Sequence, residues 1–469
     1  MRPEALMKPT YHFARVLPRR HGRFAMCRDV CRISPMRPPL PNPLYHHWLA
    51  VAAARGGDLA VCELASGREW SFAQLRDLAA QAPSCPPVLH TSARGMGLLL
   101  DVLRAWRDGA VLVPDDGSGL SLPPIAGHTG GFCHLKVTSG STGRPRHVMF
   151  RPEQLAADAA QIVATMGLRS DWPNLGVLSM AHSYGFSNLV LPLLLHGIPL
   201  WLLDSPLPET LRRALRANRP FTLPAVPAMW QAWERVGVDL THVRLAISAG
   251  APLPVALESA AFERTGLKIH NFYGSSECGG IAYDRSDRPR EQATLIGTPM
   301  VGVSVTIDPV SGCLKIISPA VADGYWPTDQ VTPHDPGNGA WLSQDLARID
   351  EAGVVYMLGR AGDFISVAGH KISPEVIEDV LHRVAGVLGC VVFGVPSPNA
   401  VRVEDLVACV KLEPGTDLST LKSALTGLPS TYLPRYWWQC DTLQADGRGK
   451  VSRRRWRQEW LAEHGTIEI

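Results

Sequence analysis

Paired cysteines, lysine and long apolar runs are all scarce in this chain. Ten cysteines are scattered over 469 residues and no Cys-x-x-Cys pair occurs. That spacing excludes a disulfide scaffold and the common zinc sites, so reduced thiols are expected. The longest apolar run, Leu189–Leu203, is interrupted by Pro192, His196, Gly197 and Pro199. It is too short to span a membrane and reads as a buried helix followed by a buried strand. The first 40 residues hold no apolar stretch of the kind a secretory signal needs. They carry nine basic and two acidic side chains, a net +7 against +3 for the whole chain, which leaves the body mildly acidic. A basic footprint for nucleic acid is therefore missing. What remains is a cytoplasmic globular protein with 46% hydrophobic and 19% charged residues. That composition excludes global disorder, and at about 150 residues per domain it allows two or three domains.

The body alternates helical and strand patterns. Helices are expected over 98–107, 162–166, 189–195 and 209–217, and strands over 110–113, 199–203 and 243–248, which is α/β patterning. After about Asp308 short strands with turn signals dominate (313–318, 340–343, 347–350, 354–358). A compact set follows, with helices at 375–384 and 418–426 and strands at 391–395 and 406–412. Ser373 and Pro374 suit the N-cap and first residue of the first of these helices. The expected organisation is a basic, disordered extension over 1–44 and a large N-terminal domain of helix-flanked β-sheets over 45–358. A boundary at 359–363 then leads into a small α+β domain over 364–469.

Four segments carry residues suited to chemistry. Thr138, Ser139, Gly140, Ser141, Thr142 and Gly143, with Arg144 and Arg146 after them, offer backbone N–H groups, hydroxyls and guanidinium donors to phosphate oxygens. The Gly-Lys-Ser/Thr ending of a Walker loop is absent, and a plain surface loop fits the same composition. In Tyr273-Gly274-Ser275-Ser276-Glu277 a carboxylate beside hydroxyls suits magnesium held through one acid plus substrate phosphates. The start of a helix would read the same way. Asp345 could accept from ribose hydroxyls while Arg360 pairs with phosphate or ribose; a turn aspartate and a surface arginine are the alternative. Lys450 stands in Gly447-Arg448-Gly449-Lys450-Val451-Ser452-Arg453, one of only eight lysines in a chain whose default cation is arginine. A compact point charge there can follow charge developing on a phosphate or carboxylate.

The order and spacing of these segments resemble the adenylate-forming superfamily of acyl- and aryl-CoA synthetases, adenylation domains and luciferases. The resemblance covers roughly residues 50–460. It also includes Glu69–Leu75, His182-Ser183-Tyr184-Gly185-Phe186, Val226–Met229, Ser248-Ala249-Gly250-Ala251-Pro252-Leu253 and Gly359–Ile372. It implies a ligase that joins a carboxylic acid to AMP, releasing pyrophosphate, and passes the acyl group to a thiol, with ATP and Mg2+ as cofactors. The implied roles are phosphate binding by 138–146, metal binding by Glu277 and α-phosphate contact by Ser276. Ala249, Gly250, Ala251, Tyr273 and Gly274 would line the adenine site, Asp345 and Arg360 would hold ribose, and Lys450 would be the catalytic lysine. Residues 359–363 become a hinge and 364–469 a mobile domain whose Gly369 loop shapes a pantetheine tunnel.

The sequence departs from the family pattern in several places. Arg146 stands for the usual Lys, His147 for Gly, Gly362 for a hinge Asp or Lys, and Ser343-Gln344 for Thr-Gly; none removes a required charge. His182, Tyr184, Phe186 and Phe272 are the expected walls of the acid pocket, suited to a flat aryl acid, though ordinary core aromatics would look the same. Overall likeness to short stand-alone ligases points to 3- or 4-hydroxybenzoate loaded onto an acyl carrier protein, as in aryl-polyene (xanthomonadin-type) pigment biosynthesis. Coenzyme A is the alternative acceptor. Arg402, Arg435, Arg448, Arg453, Arg454, Arg455 and Arg457 could dock an acidic carrier protein. A non-catalytic nucleotide-binding protein is the reading from another class, and it would sit more easily with a lost Lys450 or Glu277.

Overall fold

The structure, a computed structural model, describes residues 42–115, 131–138, 146–327, 332–399, 401–443 and 451–464. Nearly all of the expected N-terminal extension, Ser139–Gly143 of the phosphate loop and Lys450 lie outside these residues. The described residues belong to one compact unit, Pro39–Ile469.

Two sheets organise the larger part. Six parallel strands form one side of a thirteen-stranded sheet, in the order Ile269–Ser275, Val243–Ser248, Phe221–Ala225, Asn174–Gly176, Leu200–Leu202 and Leu59–Glu63. Phe221–Ala225 is buried at every position, as expected of a strand covered on both faces. Beyond Ile269–Ser275 the sheet continues antiparallel through Gly279–Tyr283, Leu295–Pro299, Val355–Arg360 and Ala340–Ile349. A second, five-stranded sheet runs Gly324–Trp326, His147–Phe150, His134–Val137, Val111–Pro114 and Val88–Thr91. Helix Pro152–Met166 buries Leu155, Ala159, Ile162 and Met166, one stripe at helical spacing. Gly167 ends it in the left-handed region at φ 65°.

The expected strand 243–248 is found unchanged, and most other elements agree to within a few residues. Three differences have physical causes. The strands expected at 340–343 and 347–350 are one strand, Ala340–Ile349, whose register shifts between Leu346 and Ala347 where it pairs with Val355–Arg360; inward and outward positions alternate throughout, but the buried ones at 343 and 345 are the polar Ser343 and Asp345, so the apolar pattern lapses there. The helix expected at 189–195 starts earlier, with a wide turn over Phe186–Val190 that continues into Leu191–His196. Ser373 and Pro374 do open helix Pro374–His382, but the Ser373 hydroxyl bonds the Glu375 carboxylate rather than capping the helix.

The apolar cores fall into two groups along the chain. Among the described residues, the clusters containing Trp48, Trp106, Trp230 and Trp233 draw on positions up to Met357. Two further clusters draw on positions from Ile365 onward, around Ile377, Leu406, Trp456 and Trp460. The later part holds a three-stranded sheet of Val387–Pro396, Glu404–Leu412 and Tyr436–Gln439, with helices Pro374–His382 and Arg453–His464. Cys62, Cys85, Cys133, Cys278, Cys313, Cys390, Cys409 and Cys440 are free thiols.

Candidate active site

The site residues gather at the carboxyl ends of the parallel strands, where open α/β sheets bind ligands. Strand Val243–Ser248 delivers Ala249, Gly250 and Ala251 in the turn after it. Gly250 sits at φ 89°, a conformation that favours glycine. Strand Ile269–Ser275 and its partner Gly279–Tyr283 form a hairpin whose tip carries Ser276 and Glu277. The helix start that the sequence also allowed at Glu277 is therefore replaced by a β-turn region. It is tight, since a Cβ on Gly274 would lie 2.7 Å from the Gly279 carbonyl oxygen.

Around this hairpin the structure joins residues far apart in sequence. The Ser183 hydroxyl donates to Ser276 Oγ at 2.9 Å, tying the segment after His182 to the turn. His182 is half-buried at the entry to that segment. Tyr325 donates its hydroxyl to Glu277 Oε1 at 2.9 Å. Burial and the neighbouring Glu277 carboxylate both push the Tyr325 phenol well above its ordinary pKa, so it stays a donor. The Arg146 guanidinium lies 3.5 Å from the Tyr325 ring centre and 3.5 Å from Asp335 Oδ1. The Thr138 N–H donates to the Arg146 carbonyl at 2.8 Å, and the Arg146 N–H donates to Thr138 Oγ1 at 3.3 Å. The two ends of the 139–145 segment are thus clasped together.

A second cluster involves Asp345 and Arg360, directly opposite each other on antiparallel strands. Arg360 Nε donates to Asp345 Oδ1 at 2.8 Å, and the Tyr273 hydroxyl donates to Asp345 Oδ2. Asp345 is buried, and the Ser343 hydroxyl accepts its N–H at 3.1 Å. Burial, with the Asp345 carboxylate beside it, holds the Tyr273 phenol far above its usual pKa.

The proposed acid-pocket aromatics do not stay together. Tyr184 and Phe272 pair with ring centres 5.9 Å apart. Phe186 and Phe272 both lie in apolar cores, 1% and 6% exposed; Phe186 stacks on His134 at 4.3 Å, and Tyr184 packs partly buried against the cluster of Phe272. The chain turns there because Gly185 lies against Ser179, whose carbonyl oxygen would be 2.1 Å from a Cβ. Gly369 sits at φ 84° between strands Ile365–Val367 and His370–Ile372, with open space around it. A groove of about 380 Å3 lined by Arg285, Arg288 and Arg290 includes none of the candidate residues.

Sequence reading missed Tyr325 and Asp335, and quoted Ser183 only as part of the His182–Phe186 segment. Tyr325 lies 48 residues from Glu277 and Asp335 lies 189 from Arg146, so no local pattern marks either. Most of the arginines expected to dock a carrier protein carry ion pairs, several of them about half exposed. Arg402 and Arg435 pair with Asp405, Arg455 with Glu459 and Arg457 with Glu404. Arg453 binds Asp363, Glu375 and Glu378 at 3.0, 2.9 and 2.6 Å.

For Mg2+ the donor set is one carboxylate, Glu277, among hydroxyls, and no cluster of three metal-ligating side chains occurs among the described residues. That fits an ion taken mainly through substrate phosphates and water.

Residues 128–326 match the family model of AMP-binding enzymes. The feruloyl-CoA synthase of an Amycolatopsis species is 28% identical over 340 residues, 68% of each chain. The anthranilate–CoA ligase of Pseudomonas aeruginosa is 29% identical over 265 residues, 54% of this chain and 51% of that enzyme. ATP-bound MatB from Rhodopseudomonas palustris superposes with a TM-score of 0.77 at 20% identity, over 89% of this chain and 99% of that one. The fold is thus that of the AMP-binding enzymes, and the chain is an AMP-forming acid–thiol ligase with ATP and Mg2+ as cofactors.

Proposed function

We propose that this ligase activates an aryl carboxylic acid and passes it to coenzyme A. The observation that carries the reading is the Tyr184–Phe272 aromatic pair beside the Ser183–Ser276 contact and the Glu277 turn. A flat acid against those rings would present its carboxylate toward the hydroxyls and the phosphate-binding elements. The names of the relatives, a feruloyl-CoA synthase and an anthranilate–CoA ligase, support both the aryl acid and the acceptor. The C-terminal arginines do not separate the two acceptors, since the same side chains could meet a carrier protein or the 3′-phosphate of coenzyme A; the relatives' names favour coenzyme A.

In the first half-reaction a carboxylate oxygen attacks the α-phosphorus, the bond to the bridging oxygen breaks, and pyrophosphate leaves with that electron pair. Thr138–Gly143 and Arg146 hold the β,γ-phosphates, Ser276 touches the α-phosphate, and Asp345 with Arg360 holds ribose. Lys450 neutralises the two anions as they approach. Bound Mg2+ supplies charge neutralisation on phosphate oxygens, with Glu277 as its protein carboxylate. In the second half-reaction the thiol sulfur attacks the acyl carbon, its proton is lost to solvent, and AMP departs. Residues 364–469 are proposed to swing about 359–363 between the two steps, replacing Lys450 with the Gly369 loop.

Acid-dependent ATP–pyrophosphate exchange tests the first step without a thiol. The panel holds ferulate, anthranilate, 3- and 4-hydroxybenzoate and fatty acids, with Lys450→Ala as control. Exchange with an aryl acid, lost in Lys450→Ala, followed by thioester formation on coenzyme A, is the expected outcome. Exchange with fatty acids alone overturns the aryl acid. Transfer only to a holo carrier protein overturns coenzyme A.

A further inference from the structure

Strand His134–Val137, which leads into Thr138, carries a lysine that the reaction above does not use. Lys136 is 2% exposed and Asp158, on helix Pro152–Met166, is 1% exposed. Lys136 Nζ donates to Ser187 Oγ at 3.2 Å and lies 3.8 Å from Asp158 Oδ2. The Ser187 hydroxyl in turn donates to Asp158 Oδ2 at 2.5 Å. The other carboxylate oxygen, Oδ1, accepts the Gly280 N–H at 3.2 Å. The faces of Phe150 and Phe186 lie 4.4 and 5.9 Å from the ammonium group. Four elements meet on this unit, and three of them carry or adjoin site residues: the strand before Thr138, the helical segment after Ser183, and the hairpin of Ser276 and Glu277.

A buried ion pair is a poor source of stability, since apolar residues of similar volume often hold such a place as well or better. The hairpin shows where else this pair makes contact. Gly279 adopts φ 66°, and a Cβ on it would lie 2.0 Å from Asp158 Oδ1. The turn after Glu277 is therefore seated directly on the carboxylate. Burial lowers the pKa of the Lys136 amine, and the Asp158 carboxylate chiefly opposes that shift.

We propose that Lys136, Ser187 and Asp158 form a buried positioning unit that holds the Ser276–Glu277 turn in register with Thr138 and Ser183, and so sets the affinity for metal-bound ATP. This rests on the reading of Glu277 as the metal-side carboxylate.

Asp158→Asn, Ser187→Ala and Lys136→Met test it, with Glu277→Gln as reference and Lys136→Arg as the conservative variant. The readouts are calorimetric ATP affinity with and without Mg2+, the Mg2+ midpoint of ATP–pyrophosphate exchange, the acid KM and the melting temperature. Asp158→Asn and Lys136→Met are expected to weaken ATP binding with Mg2+ by about tenfold and to raise the Mg2+ midpoint similarly. ATP affinity without metal and the acid KM should stay within about twofold, and Lys136→Arg should recover part of the loss. If Lys136→Met fails to fold, Asp158→Asn, which keeps shape, and Ser187→Ala, expected to cost about threefold, decide the matter. A lower melting temperature with an unchanged Mg2+ midpoint and ATP affinity overturns the proposal and leaves a structural ion pair. Should Glu277→Gln leave the Mg2+ midpoint unchanged, the Glu277 role falls; weakened ATP binding in Asp158→Asn then still upholds the unit, and unchanged binding removes it too.

Discussion

At Asp345 one carboxylate accepts from Tyr273 on one oxygen and Arg360 on the other. Asp345→Asn keeps the shape but turns one acceptor into a donor facing those donors. It should raise the KM for ATP in the exchange assay by about tenfold, with the acid KM unchanged. The thiols make a second prediction. Burial, with a carboxylate close by, pushes the Cys62 and Cys85 thiols up to about 11, and burial pushes Cys133 up to about 12. A thiol with its pKa near 11 holds about a hundredfold less thiolate at pH 8 than one near 9. Site-resolved iodoacetamide labelling of the native protein at pH 8 should be correspondingly slow at these positions and fast after unfolding. Asp345, Arg360 and Glu277 could be singled out through the order and spacing of their segments, and the structure brings Asp345 and Arg360 together and places Glu277 at the hairpin tip. Tyr325 and Asp335 could not be singled out, because each becomes a neighbour of the site only when strand Gly324–Trp326 pairs with His147–Phe150. Phe186 misled because a core aromatic and a pocket aromatic look alike in sequence.

Helix Pro374–His382 shows what charge does to an element. Its Asp379 has a pKa raised to about 6, chiefly by burial, with His382 and Arg383 opposing. In the unfolded chain this carboxyl ionises near pH 4, so between pH 4 and 6 the unfolded state sheds its proton first and stability falls as pH rises. Asp379→Asn should therefore stabilise the protein at pH 7 by about 1 kcal/mol once solvent screening is allowed for, and do little at pH 4. Urea unfolding at the two pH values measures this. Glu378 on the same helix is likewise raised by burial, yet Arg453 counters it and the Val392 N–H donates to it at 2.7 Å. Arg453→Met would leave Asp363, Glu375 and Glu378 facing one another without their cation. A loss of about 2–3 kcal/mol is expected, seen as earlier unfolding in urea. Regular elements such as Val243–Ser248 were legible from pattern alone. The long strand Ala340–Ile349 was split because two of its buried positions are polar, Ser343 and Asp345, and the wide turn at Phe186–Val190 has no pattern of its own.

At the scale of the molecule, the change in sequence character near 359–363 coincides with the place where the apolar cores part. Gly359 and Gly362 differ there. Gly359, at φ 131°, has Ser373 Oγ 2.8 Å from where a Cβ would sit, whereas a Cβ on Gly362 would meet nothing within 4 Å. Glycine at 362 is thus not demanded by packing, which fits a place where the backbone must turn freely. Gly362→Pro fixes one φ near −65°. It should slow one half-reaction at least tenfold more than the other, read by pyrophosphate exchange against thioester formation. Equal slowing of both would speak against a swing. The strand that carries Arg360 ends two residues before Gly362, and Arg360 itself is braced by Asp345. Whatever occupies the Asp345 cluster is therefore mechanically contiguous with the proposed hinge. By thermodynamic reciprocity, a nucleotide that favours one orientation of residues 364–469 must be bound more tightly in that orientation, by the same factor. Product release and domain motion then become one equilibrium seen from two ends.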